Sequence, residues 1–126
     1  MTPAARLFIV MGALAAALAV ALGAFGAHAL RAKLPPDLLA VYRTGVEYHF
    51  YHALGLVLVG LAAQHLPESG PLKAAGWLMA AGIVLFSGSL YVLATSGVRA
   101  LGMVTPVGGV AFIAAWALFA WALLRT

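Results

Sequence analysis

Thr44–Leu56 reads TGVEYHFYHALGL, and Val57–Leu66 continues it as VLVGLAAQHL. Glu47, Tyr48, His49, Tyr51 and His52 fall within six positions at the mouth of a run that is otherwise apolar for about 20 residues, the length that crosses a bilayer core of about 30 Å. A hydrocarbon interior offers the backbone no hydrogen bonds, so a stretch of this length must be a helix; barrel strands alternate in polarity and are half as long. Ionisable groups inside such a helix are costly, and a partner, a water path or a function has to account for them.

Working outward, three more apolar runs of similar length appear, giving expected spans at 7–27, 46–66, 72–95 and 105–124. Hydrophobic residues make up 65% of the 126 and charged residues 8%, and the mean hydropathy is +1.07. That leaves too little charge to cover a water-soluble surface. The sequence therefore predicts an all-α, four-transmembrane-helix bundle, one integral membrane domain over 1–126. The pI of about 10.0 rests on seven scattered Lys and Arg residues, which suits lipid headgroups and topology signals and argues against a nucleic-acid partner. The absence of cysteine excludes disulfides and thiolate metal sites. Arg6, an apolar run and Ala27-His28-Ala29 outline a signal peptide, but the run exceeds the 7–15 residues typical of a signal core, roughly speaking, and is expected to be a retained first span.

The connection His28–Gly45 contains Pro35-Pro36-Asp37, a helix start, followed by Leu38, Leu39, Tyr42 and Val46 at helical spacing. An interfacial helical segment in the first loop is expected, bending at Gly45 into the second span. Ala15, Ala19, Gly23 and Ala27 recur every four residues on the first span, and Gly76, Ala80 and Gly88 lie on the third. Small residues let membrane helices approach closely, so these positions, with Gly108 and Gly109 after Thr105-Pro106, are the expected packing surfaces. Ser87 and Ser89 flank Gly88 and are placed to bond back to helix carbonyls. Trp77 beside Lys73 and Trp121 near Arg125 read as interfacial anchors, whereas Trp116, further in, reads as a packing residue.

With four spans, His28, Glu47, Tyr48, His49, His52, Tyr91 and Thr105 all fall at one membrane face, the candidate polar cluster. Arg31, Lys33, Arg43 and Arg99 lie on that side and Arg6, Lys73 and Arg125 on the other, which favours a cytoplasmic polar end by one charge. On a helical wheel Tyr48 and His52 share a face while Glu47 and Tyr51 lie roughly opposite. His49 and His52, at i and i+3, are expected to point towards one centre with His28, a set with the softness for zinc, copper or iron. The spacing matches neither H-E-x-x-H nor a doubled E-x-x-H, so the plainer alternative is histidines hydrogen-bonded to loop carbonyls. His52 itself is expected to be buried and bonded to the first-loop backbone, His28 or Tyr91.

Four motifs then occur in order: GAFGAHAL at Gly23–Leu30, EYHFYHALGL at Glu47–Leu56, LFSGSLYVLATSG at Leu85–Gly97 and LGMVTPVGGVAF at Leu101–Phe112. Together they resemble the domain of unknown function 423 family, the YgdD-like and transmembrane protein 256-like small membrane proteins. His28, His49, Phe50, His52, Gly88, Tyr91, Pro106, Gly108 and Gly109 match its pattern. The resemblance implies a four-helix membrane protein and supplies no activity or ligand; a bacterial inner membrane is the expected location. Lacking a nucleotide motif, a nucleophile with its base or a gating charge series, the chain reads as a non-enzymatic structural or accessory membrane protein. The lipid bilayer, a second copy or another membrane protein would be its partners, and no cofactor is expected. The alternatives are a proton or small-solute conduit through Glu47, His49 and His52, and a metal- or haem-binding protein through His28, His49 and His52.

Overall fold

The computed structural model describes residues 1–126. Four long helices run antiparallel in sequence. Helix α1 is Pro3–Leu30, its last turn Gly26–Leu30 widened to π geometry. Helix α2 is Pro36–His65 and helix α3 is Gly70–Ser96, with a π stretch at Ile83–Ser87. A 3₁₀ turn at Arg99–Met103 leads into helix α4, Thr105–Leu124. There are no strands, and each of the four helices is long and apolar enough to cross a membrane.

The ends follow from local chemistry. Thr2 caps α1 by accepting from Ala5 N, with Pro3 in the first turn. Ser69 does the same for α3 through Leu72 N, with Pro71 behind it. Gly97 closes α3 at φ 73°, the one left-handed residue in the chain, which a side chain would strain. The first-loop helix and the second span are a single unbroken helix of about 45 Å. No break occurs at Gly45, whose missing side chain admits the Tyr91 ring. Tyr42 fixes this segment from the other side by donating to the Leu22 carbonyl of α1 at 2.6 Å.

Helix α2 is the centre. Apart from Gly55, its buried residues fall on three rows of seven-residue period: Leu39, Ala53 and Gly60; Tyr42, His49, Leu56 and Ala63; Gly45, His52 and Val59. The facing row on α1 is Ala5, Gly12, Ala19 and Gly26, all buried. A Cβ on Gly12 would lie 2.7 Å from the Ala53 carbonyl oxygen, and one on Gly60 would lie 2.9 Å from that of Ala5. The two backbones therefore touch where side chains normally separate them.

This corrects the four-residue stripe. Ala19 is buried, Ala15 and Gly23 are half-buried and Ala27 is exposed. Residues four apart are offset by about 40° on a helix, so such a stripe walks off the contact within three steps. Residues seven apart drift by only about 20° and stay on it. On α3, Gly76 lies beneath the Phe8 ring and Ala80 is half-buried, but Gly88 has open space beside it. Gly82, under Phe112, and Gly55, under Met79 and Trp116, are the close approaches that the small-residue pattern did not mark. A Cβ on Gly108 would run into the Phe86 backbone, whereas one on Gly109 would make only an ordinary contact with the Phe86 ring at 3.8 Å.

The main apolar core sits towards the end that carries the chain termini. It draws Ala5 and Phe8 from α1, Leu56, Val59 and Ala63 from α2, Leu72, Ala75 and Met79 from α3, and Ala115 and Ala122 from α4. A smaller cluster of Leu30, Leu39, Tyr42 and Ala94 closes the other end. Between the two clusters lies the polar layer.

Candidate functional site: a polar layer between the helices

His49 and His52 are 2% and 5% exposed, so both imidazoles lie inside the bundle. Three positions on a helix leave them about 60° apart, which is enough to aim them at different neighbours. His49 faces α3, its Nδ1 2.8 Å from the Tyr91 hydroxyl. His52 faces α4, where Trp116 Nε1–H donates to His52 Nε2 at 3.0 Å. His52 Nδ1 is 2.7 Å from the Tyr48 carbonyl one turn back.

These partners fix the protonation of His52. An indole nitrogen only donates and a carbonyl only accepts. His52 Nε2 must then be the bare acceptor and Nδ1 must carry the hydrogen, the neutral tautomer. The ring lies flat on Phe112, centroids 3.4 Å apart and planes 8° apart, and stacks more distantly on Tyr48 at 6.2 Å. Phe86 packs on both Tyr48 and Phe112.

A third bridge joins α3 to α4. Ser89 Oγ donates to the Phe86 carbonyl at 2.8 Å. With its single hydrogen so engaged, Ser89 accepts from Thr105 Oγ1 at 2.6 Å. Ser87, two residues earlier on the π stretch, is fully buried with no partner for its hydroxyl.

Several expectations are corrected here. His52 bonds neither the first-loop backbone nor His28 nor Tyr91; the tyrosine belongs to His49. Trp116 is the hydrogen-bond donor to His52 and not only a packing residue. His28 is exposed on the last turn of α1, and no three His, Asp or Glu side chains are grouped to hold one ion, so the proposed convergence of His28, His49 and His52 does not occur. Tyr48 is partly exposed and Thr105 half-buried. Glu47 points outward, makes no hydrogen bond and no ion pair, and lines a groove between α1 and α2 with Ala19, Val20, Gly23 and Phe50. Phe86 and Phe112, which pack around the polar layer, were not marked as site residues; the aromatic pair Phe112 and Trp116, one turn apart, is a signal for Phe112, and no spacing marks Phe86.

Fold and site together define a multi-pass helical membrane protein whose buried polar groups bridge helices. The chain belongs to the family described as Protein of unknown function (DUF423), whose model matches residues 22–109. It is 57% identical over 111 residues to the UPF0382 membrane protein YwdK of Bacillus subtilis, covering 88% of this chain and 90% of that one. It is 46% identical to a UPF0382 membrane protein of Staphylococcus haemolyticus, covering 88% and 89%, and 46% identical to one of Staphylococcus epidermidis, covering 95% and 97%. No solved structure matches.

Proposed function

We propose that this protein is a non-enzymatic assembly or accessory protein of the membrane, acting through its outer helix faces. The observation that carries the reading is the disposition of the polar residues. His49, His52 and Ser89 are each engaged by a neighbouring helix, while Glu47 is turned outward with no partner. Groups whose donors and acceptors are already matched hold a bundle in register and leave little for chemistry. The conduit alternative has weaker support, because His49 and His52 face different helices and Glu47 faces neither.

Two measurements test the reading. Proteoliposomes carrying a pH-sensitive dye should dissipate a proton gradient no faster with the wild type than with the His49→Ala, His52→Ala double variant. A clearly faster wild type would overturn the reading in favour of the conduit. Mass measurement in mild detergent should find the chain bound to a stoichiometric protein partner, either a second copy or another membrane protein. A lone 13.0 kDa chain at every protein-to-detergent ratio would overturn the assembly role.

A further inference from the structure

The chain has three acidic residues. Asp37 pairs with Arg99 at 3.3 Å, and Glu68 lies in the turn between α2 and α3. Glu47 alone sits on a transmembrane stretch, eleven positions after Pro36 and so about 16 Å along α2. Its pocket neighbours on α1 run from Ala19 to Ala27, the half of that helix's apolar run nearer the polar end, which places the carboxylate within the run and not beyond it. A carboxylate facing lipid at that depth is expensive unless a cation or donor meets it.

Nothing in the chain does. The nearest opposite charge along the helix is Arg43, one turn towards the polar end, also exposed and lining with Glu47 a smaller, adjoining pocket that includes Gly23, Gly26 and Ala27. The two do not form an ion pair, since Arg99–Asp37 is the only one in the structure. The pocket they share, about 140 Å³, adjoins an open groove of about 470 Å³ beside Glu47 whose α1 wall includes the small residues Ala19, Gly23 and Ala24, which permit close approach.

We infer that this groove is the interface with a second copy of the chain, with Glu47 of each copy facing Arg43 of the other. The inference deepens the assembly reading and rests on it. A two-fold axis along the membrane normal keeps equivalent residues at equal depth and makes the contact self-complementary. Arg43 of one copy then lies about 6 Å, one helical turn, above Glu47 of the other, within the reach of an arginine side chain. Two such pairs form, and both carboxylates leave the lipid. The arginine stems stay at the level where long cationic chains extend to the headgroups.

The test uses full-length protein in proteoliposomes, with association followed by energy transfer between terminally tagged copies. Glu47→Arg alone sets Arg43 against an arginine, and Arg43→Glu alone sets Glu47 against a glutamate. Each should lower self-association on the order of tenfold. Mixing the two variants should restore it, because each then supplies the charge that the other lacks; a pairing within one chain cannot give that recovery. The chain has no cysteine, so single cysteines report the face: Tyr51→Cys should cross-link to a dimer and Val84→Cys on α3 should not. Unchanged association of the single variants, no recovery on mixing, or equal cross-linking at both positions would each overturn the inference. A wild type that stays a single copy while a different membrane protein shields Tyr51→Cys from a maleimide would overturn the second copy as occupant and leave the assembly reading standing.

Discussion

Helix α2 presents two faces that differ within one turn. Inward, His49 and His52 are buried, each bonded to a neighbouring helix, with His52 stacked on Phe112. Outward, Glu47 and Tyr51 are exposed, and Glu47 has no partner. Composition treats all four as polar or aromatic residues in one apolar segment. The environment separates them: His49 and His52 inside the bundle are matched by neighbouring helices, whereas Glu47 on the outside has no match within the chain. The inner face therefore bears on stability, and the outer face is where the proposed assembly contact falls.

The largest expected effect tests how closely the inner face is packed. Gly12→Leu would drive a side chain into the Ala53 carbonyl and Val57 and should cost about 3 kcal/mol of unfolding free energy, or displace α1 from α2. Gly88→Leu, with open space beside it, should change stability by less than about 0.5 kcal/mol. Denaturant titration in mixed micelles compares the two, and similar losses would mean that the α1–α2 contact is not as close as described.

Next comes His52. His52→Ala removes the stack on Phe112 and leaves the Trp116 N–H unmatched, for a cost of about 2–3 kcal/mol, with a shift in tryptophan emission. His52→Leu refills the space and should cost less. Equal costs would show that the hydrogen bond alone matters, and no cost from either would break the contrast between the faces.

The His49–Tyr91 bridge should be smaller. A double-mutant cycle with His49→Phe and Tyr91→Phe should give a coupling of about 0.6 kcal/mol, up to about 1.7, since polar contacts between membrane helices are modest. A coupling near zero would remove this bridge from the inner layer. Smallest of all, Glu47→Gln should leave the unfolding of a single chain within about 0.5 kcal/mol of the wild type, because no group of that chain bonds the carboxylate. A larger loss would place Glu47 among the structural residues and erase the distinction.

Much of this was legible from residue order. The four spanning helices, the helix starts at Pro36 and Pro106 and the break around Gly97 follow from run lengths and caps. The partners within the layer were not legible. His49 and His52 look equivalent at i and i+3, yet an angular difference of about 60° sends one to Tyr91 and the other to Trp116. Gly88 reads as a packing glycine and is not one, while Gly55 and Gly82 carry close approaches that no small-residue spacing announced.

By itself, the sequence determined that this chain is four helices in a membrane. Each apolar run crosses on the strength of its own transfer free energy, summed along the run, with backbone hydrogen bonds closed inside the helix. Which residues meet was decided only by the tertiary structure. Contacts between helices depend on rotation and axial register, and composition is nearly blind to both when every face is apolar. A row of four small residues at seven-residue spacing, Ala5, Gly12, Ala19 and Gly26, set the approach of α1 to α2, and that approach left His49 and His52 inside and Glu47 on the outer surface.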